Sequence, residues 1–171
     1  MQATVISPWI VQAEALEPFR CEAPSQDPPP LPYLAATHRD SLDITMQASI
    51  HPGGSPNGFK VCRSHFRDLY WTFEQMLAHH TVGGCNIRTG DIIASGTVSS
   101  KGTKEGGPPA KGCLLEVTKN GQEPLKLAPE VERCWLEDGD TVQMRAWCGE
   151  GPTRVGFGPC DMTVLPARAA M

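Results

Sequence analysis

Side chains capable of acid–base, hydrogen-bonding or metal-binding roles fall in a few short stretches of this chain. Glu116 is a lone acid in the apolar run Cys113-Leu114-Leu115-Glu116-Val117. Read as a strand, alternation puts Leu115 and Val117 on one face and Leu114 and Glu116 on the other. On these residues alone, Glu116 is an edge-strand carboxylate in water. Upstream, Ser95-Gly96-Thr97 places a hydroxyl that both donates and accepts beside a glycine that permits close backbone approach. His79-His80 is the obvious metal candidate, but adjacent helical residues point about 100° apart. A two-histidine site needs a four-residue offset, and the residue four before His79 is Gln75. One histidine packed and one solvated is therefore expected. Gly90-Asp91 and Gly139-Asp140 read as turns in which the carboxylate accepts backbone N–H bonds. Asp138 and Asp140 would share a strand face, but a calcium loop needs more oxygens at set spacings. Thr4, taken alone, reads only as a residue near a chain terminus.

The elements that must position these groups are mostly strands. Leu42, Ile44, Met46 and Ala48 alternate with polar or small residues, the period of a half-buried strand. Residues 52–58, Pro-Gly-Gly-Ser-Pro-Asn-Gly, read as a hairpin loop. After Gly90 the chain reads as short strands between Gly, Pro and Asp turns, at 92–97, 113–117, 141–147 and 162–165, with 99–112 as a long exposed loop. One helix is expected near 65–81. Leu69, Phe73, Met76, Leu77 and His80 gather on one face, Ser64 is the expected N-cap, and Gly83-Gly84 ends it. Residues 22–32 carry a cluster of prolines and read as an extended structural crossing; an SH3 ligand is the alternative. The fold class expected is predominantly β, with one main helix and one domain over 1–171.

Bulk properties exclude more than they assign. With 171 residues, 40% hydrophobic and 20% charged, the chain is long enough for a real core. Its formal net charge of −4 gives no basic surface for nucleic acid, and no nucleic-acid partner is expected. No apolar run approaches the roughly 20 residues of a membrane helix, and none reads as a signal peptide. The 7 cysteines are odd in number and lack Cys-x-x-Cys spacing, which favours reduced thiols in a cytoplasmic setting over zinc or redox pairs.

Several stretches, in order, carry a resemblance. They are Ile6-Ser7-Pro8-Trp9-Ile10-Val11, Tyr70-Trp71-Thr72 through Gln75 to His79-His80, Gly90-Asp91 with Ser95-Gly96-Thr97, and Arg154-Val155-Gly156-Phe157-Gly158 with Cys160 and Val164-Leu165-Pro166-Ala167. The chain resembles the C-terminal portion of the fumarylacetoacetase family, with a mixed β roll or sandwich as the implied fold. The resemblance implies hydrolysis of a carbon–carbon bond in a small β-diketone, 4-fumarylacetoacetate. It further implies bound magnesium and calcium, a cytoplasmic homodimer, and a domain incomplete on its N-terminal side. By position, Glu116 matches the carboxylate that orients the catalytic histidine, and Thr97 matches the threonine that contacts substrate. Thr4 matches the threonine beside the metal, with Ala3 and Val5 standing where the family has Gly and Thr. The family's histidine base, acidic metal ligands and oxyanion lysine would precede Met1. Two alternatives are kept: a truncated chain that folds or dimerises without turnover, and another β-diketone hydrolase or decarboxylase of the wider superfamily.

Overall fold

Backbone alternation organises the molecule around one antiparallel sheet. The computed structural model describes residues 4–36, 39–53, 55–102 and 107–167. The strands are β1 (Arg20–Glu22), β2 (Asp40–Leu42), β3 (Thr45–His51), β4 (Phe59–His65), β5 (Leu125–Ala128), β6 (Val131–Arg133), β7 (Thr141–Cys148) and β8 (Val155–Thr163), with helices α1 (Phe73–Thr81) and α2 (Leu114–Val117). The principal sheet has the order β4-β3-β7-β8; β1-β2 and β5-β6 form two small antiparallel pairs, the second a hairpin. The predominantly β expectation holds, as does the hairpin between β3 and β4, whose loop residue Gly54 lies outside the described residues.

Register fixes what each face of the sheet carries. Met46, Ala48 and Ile50 of β3 stand opposite Ala146, Met144 and Val142 of β7. Met144 and Val142 in turn stand opposite Cys160 and Met162 of β8, and Cys62 and Ser64 of β4 stand opposite Ala48 and Met46. Directly opposed residues share a face, so this one is apolar. The other face carries Thr45, Gln47, Arg63, His65, Arg145, Trp147 and Asp161. One edge of the apolar face is sealed by Ile44, Phe66, Val98 and Cys148, with Leu16, Phe19, Leu69 and Phe157 packed around them. The rest is open: Met144, in the middle of the sheet, keeps 40% of its surface exposed.

Besides the last strand, which runs Val155–Thr163 and not 162–165, three local readings need correction. The helix begins at Phe73, because β4 continues to His65 and a single 3-10 turn follows. Its N-cap is Thr72, not Ser64: the Thr72 side chain accepts from the Gln75 N–H while the Gln75 side chain accepts from the Thr72 N–H. Its buried member is Gln75 rather than an apolar stripe, and Gln75 also donates to the Leu34 carbonyl and bonds Gln26. That network, with Tyr70 donating to the Pro28 carbonyl, staples the proline-rich crossing onto the helix start. Second, 113–117 is not a strand. Cys113 is extended and α2 follows it, ended by Thr118 donating back to the Leu114 carbonyl and by positive φ at Lys119, Asn120 and Gly121. Third, 92–97 forms no ladder among the described residues, and Ile92 is 74% exposed. Its backbone donors and acceptors find no neighbouring strand there, and a strand without a partner is not a strand.

Candidate functional site

The two chemistry-bearing stretches meet at Gly112. From Gly96 the chain runs along the open apolar face, turns past Ser99 and returns at Gly112 into α2. The Gly112 N–H donates to Ser99 Oγ at 3.0 Å, and Ser99 Oγ donates to Glu116 Oε2 at 2.6 Å. A Cβ on Gly112 would collide with the Val98 carbonyl oxygen and lie 2.8 Å from Thr97 Cγ2. Only glycine lets the two limbs touch, so Gly112 places Thr97 and Glu116 in one neighbourhood. Sequence reasoning missed Gly112 and Ser99. The readable signal was Lys111-Gly112-Cys113, a glycine at the entry to an apolar run.

Glu116 is held as a carboxylate. The Ser99 hydroxyl, followed by Cys113 and the Gly112 backbone, keeps its pKa below the ordinary glutamate value. Ser99 Oγ and Cys113 Sγ both donate to Oε2, so Oε1 has no side-chain donor among the described residues. The residue sits on α2 instead of a strand, and it is exposed. No histidine hydrogen-bonds to it among the described residues.

Thr97 lines a groove of about 430 Å³ on the apolar face, walled by Met46, Cys62, Met144, Ala146 and Phe157. The N-terminal arm forms a further wall: Val5, Ile6 and Ser7 line the groove, and Ser7 Oγ donates to the Phe157 carbonyl at 3.0 Å. Thr4, exposed, precedes that wall directly, while Ala3 lies outside the described residues. Gly158, at φ +71°, lets Trp9 lie against β8; any side chain there would strike the indole. The Gly-Phe-Gly block is thus a seat for the arm that carries Thr4.

The remaining candidates play other parts. His79 and His80 are both exposed, against the expectation of one packed ring; His79 Nδ1 meets Tyr33 Oη at 2.9 Å, and His80 Nε2 meets Cys85 Sγ at 3.4 Å. Asp91 caps its turn by accepting the Arg88 N–H. Asp140 is wholly buried and accepts from Gly53 N–H, Glu137 N–H and the Arg133 guanidinium, which lowers its pKa from the ordinary aspartate value. Among the described residues no cluster of three or more His, Cys, Asp or Glu gathers to hold a metal. Thr4 offers one neutral oxygen, whereas a hard divalent cation takes about six or more, largely charged. These residues do not by themselves make a magnesium or calcium site.

The sequence that builds this β-rich domain, with Thr97 lining an apolar groove and Glu116 hydrogen-bonded on α2, matches one family over almost its whole length. Residues 1–165 match the model for the fumarylacetoacetate (FAA) hydrolase C-terminal domain, and the chain belongs to that family. Among curated relatives it is 47% identical over 164 residues to the fumarylacetoacetase of Arabidopsis thaliana. It is 48% identical over 166 residues to that of Oryza sativa subsp. japonica and 40% identical over 164 to that of Homo sapiens. Each alignment takes in 96% of this chain but only 37–38% of the relative. The chain therefore spans well under half the length of the proteins it matches. No helix among the described residues is long and apolar enough to cross a membrane.

Proposed function

We propose that this chain is the C-terminal portion of a fumarylacetoacetase and contributes Thr97 and Glu116 to the hydrolysis of 4-fumarylacetoacetate, the step that ends tyrosine and phenylalanine breakdown. Water adds to a carbonyl carbon, the adjacent carbon–carbon bond breaks, and the departing electron pair is protonated, giving fumarate and acetoacetate. The observation that carries this reading is the crossing at Gly112, which packs the Thr97–Val98 limb against the entry to α2 while Ser99 bonds both Gly112 and the Glu116 carboxylate. In this scheme Thr97 hydrogen-bonds a substrate oxygen. Glu116, with Oε1 open, accepts the N–H of a histidine general base and offsets the charge that ring gains. The histidine, the metal ligands and the cationic oxyanion group would come from the segment that precedes this region in the longer relatives. Thr4 would lie at the margin of the magnesium and calcium set.

The open apolar face supports the same reading. Met144 and Ile6, which line the groove, are 40% and 62% exposed, an apolar surface that calls for cover. The occupant we assign to the groove is that preceding segment, with a homodimer formed by the completed subunits. A cytoplasmic setting is supported by seven thiols, all free of disulfides.

The test is complementation. The 171-residue chain is assayed alone and after co-expression with the N-terminal part of the Arabidopsis enzyme, following the loss of the diketone's ultraviolet absorbance. The chain alone should be inactive, and the complex should turn over at about 1 per second or faster. Turnover by the chain alone would show that its base lies within it. A folded complex without turnover would remove the hydrolase reading.

A further inference from the structure

Away from Thr97 and Glu116, on the polar face of the sheet, a second depression of about 600 Å³ is lined by Arg63, His65, Arg67, Asp68, Ser100 and Lys101. Arg63 and His65 alternate along β4 with Cys62 and Ser64, which face the apolar groove, so the two cavities lie on opposite sides of the sheet. We propose that this depression binds a small doubly charged oxyanion, either a phosphate group or a dicarboxylate. The inference does not rest on the hydrolase reading.

Three separate segments bring cations to this space. Arg63 comes from β4, Arg67 from the turn after it, and Lys101 from the chain that crosses the strand edge. The crossing is fixed by the His65 N–H donating to Ser100 Oγ at 2.8 Å and the Arg63 N–H donating to the Pro109 carbonyl at 3.0 Å. Ser100 Oγ thereby accepts a bond, which leaves its own O–H to donate. The Arg63 guanidinium lies 5.7 Å from the centre of the Trp147 ring, and Arg154 lies 4.7 Å from the same ring. Stacking of this kind orients the arginine fork without consuming its N–H donors.

The charges do not cancel. Arg67 is paired with Asp43 at 3.2 Å, and Asp68 also lines the depression. Among the described residues no carboxylate pairs with Arg63 or Lys101. With Asp43 counted, the lining keeps a positive balance even with His65 neutral, inside a chain whose net charge is −4. A concave patch of sign opposite to the whole molecule focuses an anion. Guanidinium forks and an ammonium suit phosphate or carboxylate oxygens through charge-assisted bonds.

The experiment is an amide chemical-shift titration of the 171-residue chain at low ionic strength, with inorganic phosphate in one arm, succinate in another and chloride at matched ionic strength as reference. Saturable shifts at Arg63, His65, Ser100 and Lys101 with phosphate or succinate, and not with chloride, are expected. Arg63→Gln and Lys101→Gln should each weaken binding about tenfold, the equivalent of one charge-assisted hydrogen bond. Lys126→Gln, on an exposed hairpin, should leave it unchanged. Lys101 stands on an exposed crossing, so its variant keeps the test decisive if Arg63→Gln disturbs the sheet. Tighter phosphate binding assigns a phosphoryl ligand, tighter succinate binding a dicarboxylate, and equal binding an oxyanion site that reads charge alone. Shifts that follow ionic strength only, or a Lys101→Gln chain that binds like the parent, would overturn the proposal.

Discussion

Asp140 and Glu116 are both carboxylates with depressed pKa values, and they differ in burial and in how fully their oxygens are occupied. Asp140 is fully buried at the end of β7, and both of its oxygens are occupied, by the Arg133 guanidinium and by the backbone N–H groups of Gly53 and Glu137. It ties the β3–β4 loop, the β6 end and the turn before β7 into one knot. Glu116 is exposed, and its side-chain donors crowd onto a single oxygen. Its charge is maintained without its hydrogen-bonding capacity being exhausted. A group that must later receive a partner needs that free edge, and a group that only holds the fold does not.

The largest expected effect is on Asp140. Asp140→Ala leaves Arg133, whose side chain is 12% exposed, with the Glu132 carbonyl at 2.8 Å and the exposed Glu137 carboxylate at 3.1 Å, and strips acceptors from two backbone N–H groups. Removing one member of a buried pair should lower stability by about 3 kcal/mol or more, read from the urea midpoint at pH 7. The pH dependence has a definite sign. A carboxylate whose folded pKa is depressed stabilises the fold fully above the unfolded value of about 3.9 and loses that contribution as pH falls through the folded pKa. Asp140→Asn should therefore flatten the acid limb of the stability curve below about pH 4. If both variants unfold like the parent and instead slow the complemented enzyme, the contrast between the two acids is inverted.

Glu116→Gln comes next. In the complemented enzyme it should keep the fold and lower turnover by roughly 10²-fold, because the amide cannot offset the charge on a protonated histidine. The drop should fall on kcat more than on KM, with Glu130→Gln, an exposed acid, as the neutral control. Turnover at the parental level would return Glu116 to the reading of a solvated surface acid.

Gly112→Ala sharpens the comparison, since it strikes the crossing that serves Glu116 and leaves the Asp140 knot untouched. The new methyl meets the Val98 carbonyl, which lies among backbone and cannot swing aside like a flexible side chain. A cost of about 1–3 kcal/mol is expected from overpacking. Turnover should fall with it, by displacement of Thr97 from Glu116. A variant as stable as the parent would mean that the two limbs move apart freely.

What could be read from sequence divides along the same line. The turn at Gly139-Asp140 and the strand after it were legible, because a turn residue and an alternating run are local signals. The start of α1 was legible too, in Thr72-Phe73-Glu74-Gln75, but the apolar spacing reaching back to Leu69 pointed to an earlier start. The five residues at 113–117 were not, since a short apolar run fits strand and helix equally. The deciding signals were downstream, in Lys119-Asn120-Gly121, whose left-handed backbone closes a helix. The meeting of Thr97 with Glu116 through Gly112 was out of reach of periodicity altogether. It is a contact between limbs 15 or so residues apart whose only local trace is the absence of a side chain. The local hairpin of β5 and β6 was missed for a different reason: strands of four and three residues are too short to show a period.

The smallest expected effect concerns metal. Glu116 has an open oxygen and a maintained charge, so it is the acid in this region best placed to attract a cation. A single carboxylate with one threonine still falls far short of the six or more oxygens that magnesium or calcium takes. Thr4 moreover sits at the outer end of the N-terminal arm, with only Val5, Ile6 and Ser7 entering the groove wall. Calorimetric titration of the isolated chain with magnesium or calcium should therefore show no site tighter than about millimolar, the weak end of the protein range. Glu116→Gln should leave that weak background unchanged. A micromolar site lost in Glu116→Gln would make this carboxylate a metal ligand, and the orienting role assigned to it would pass to another group.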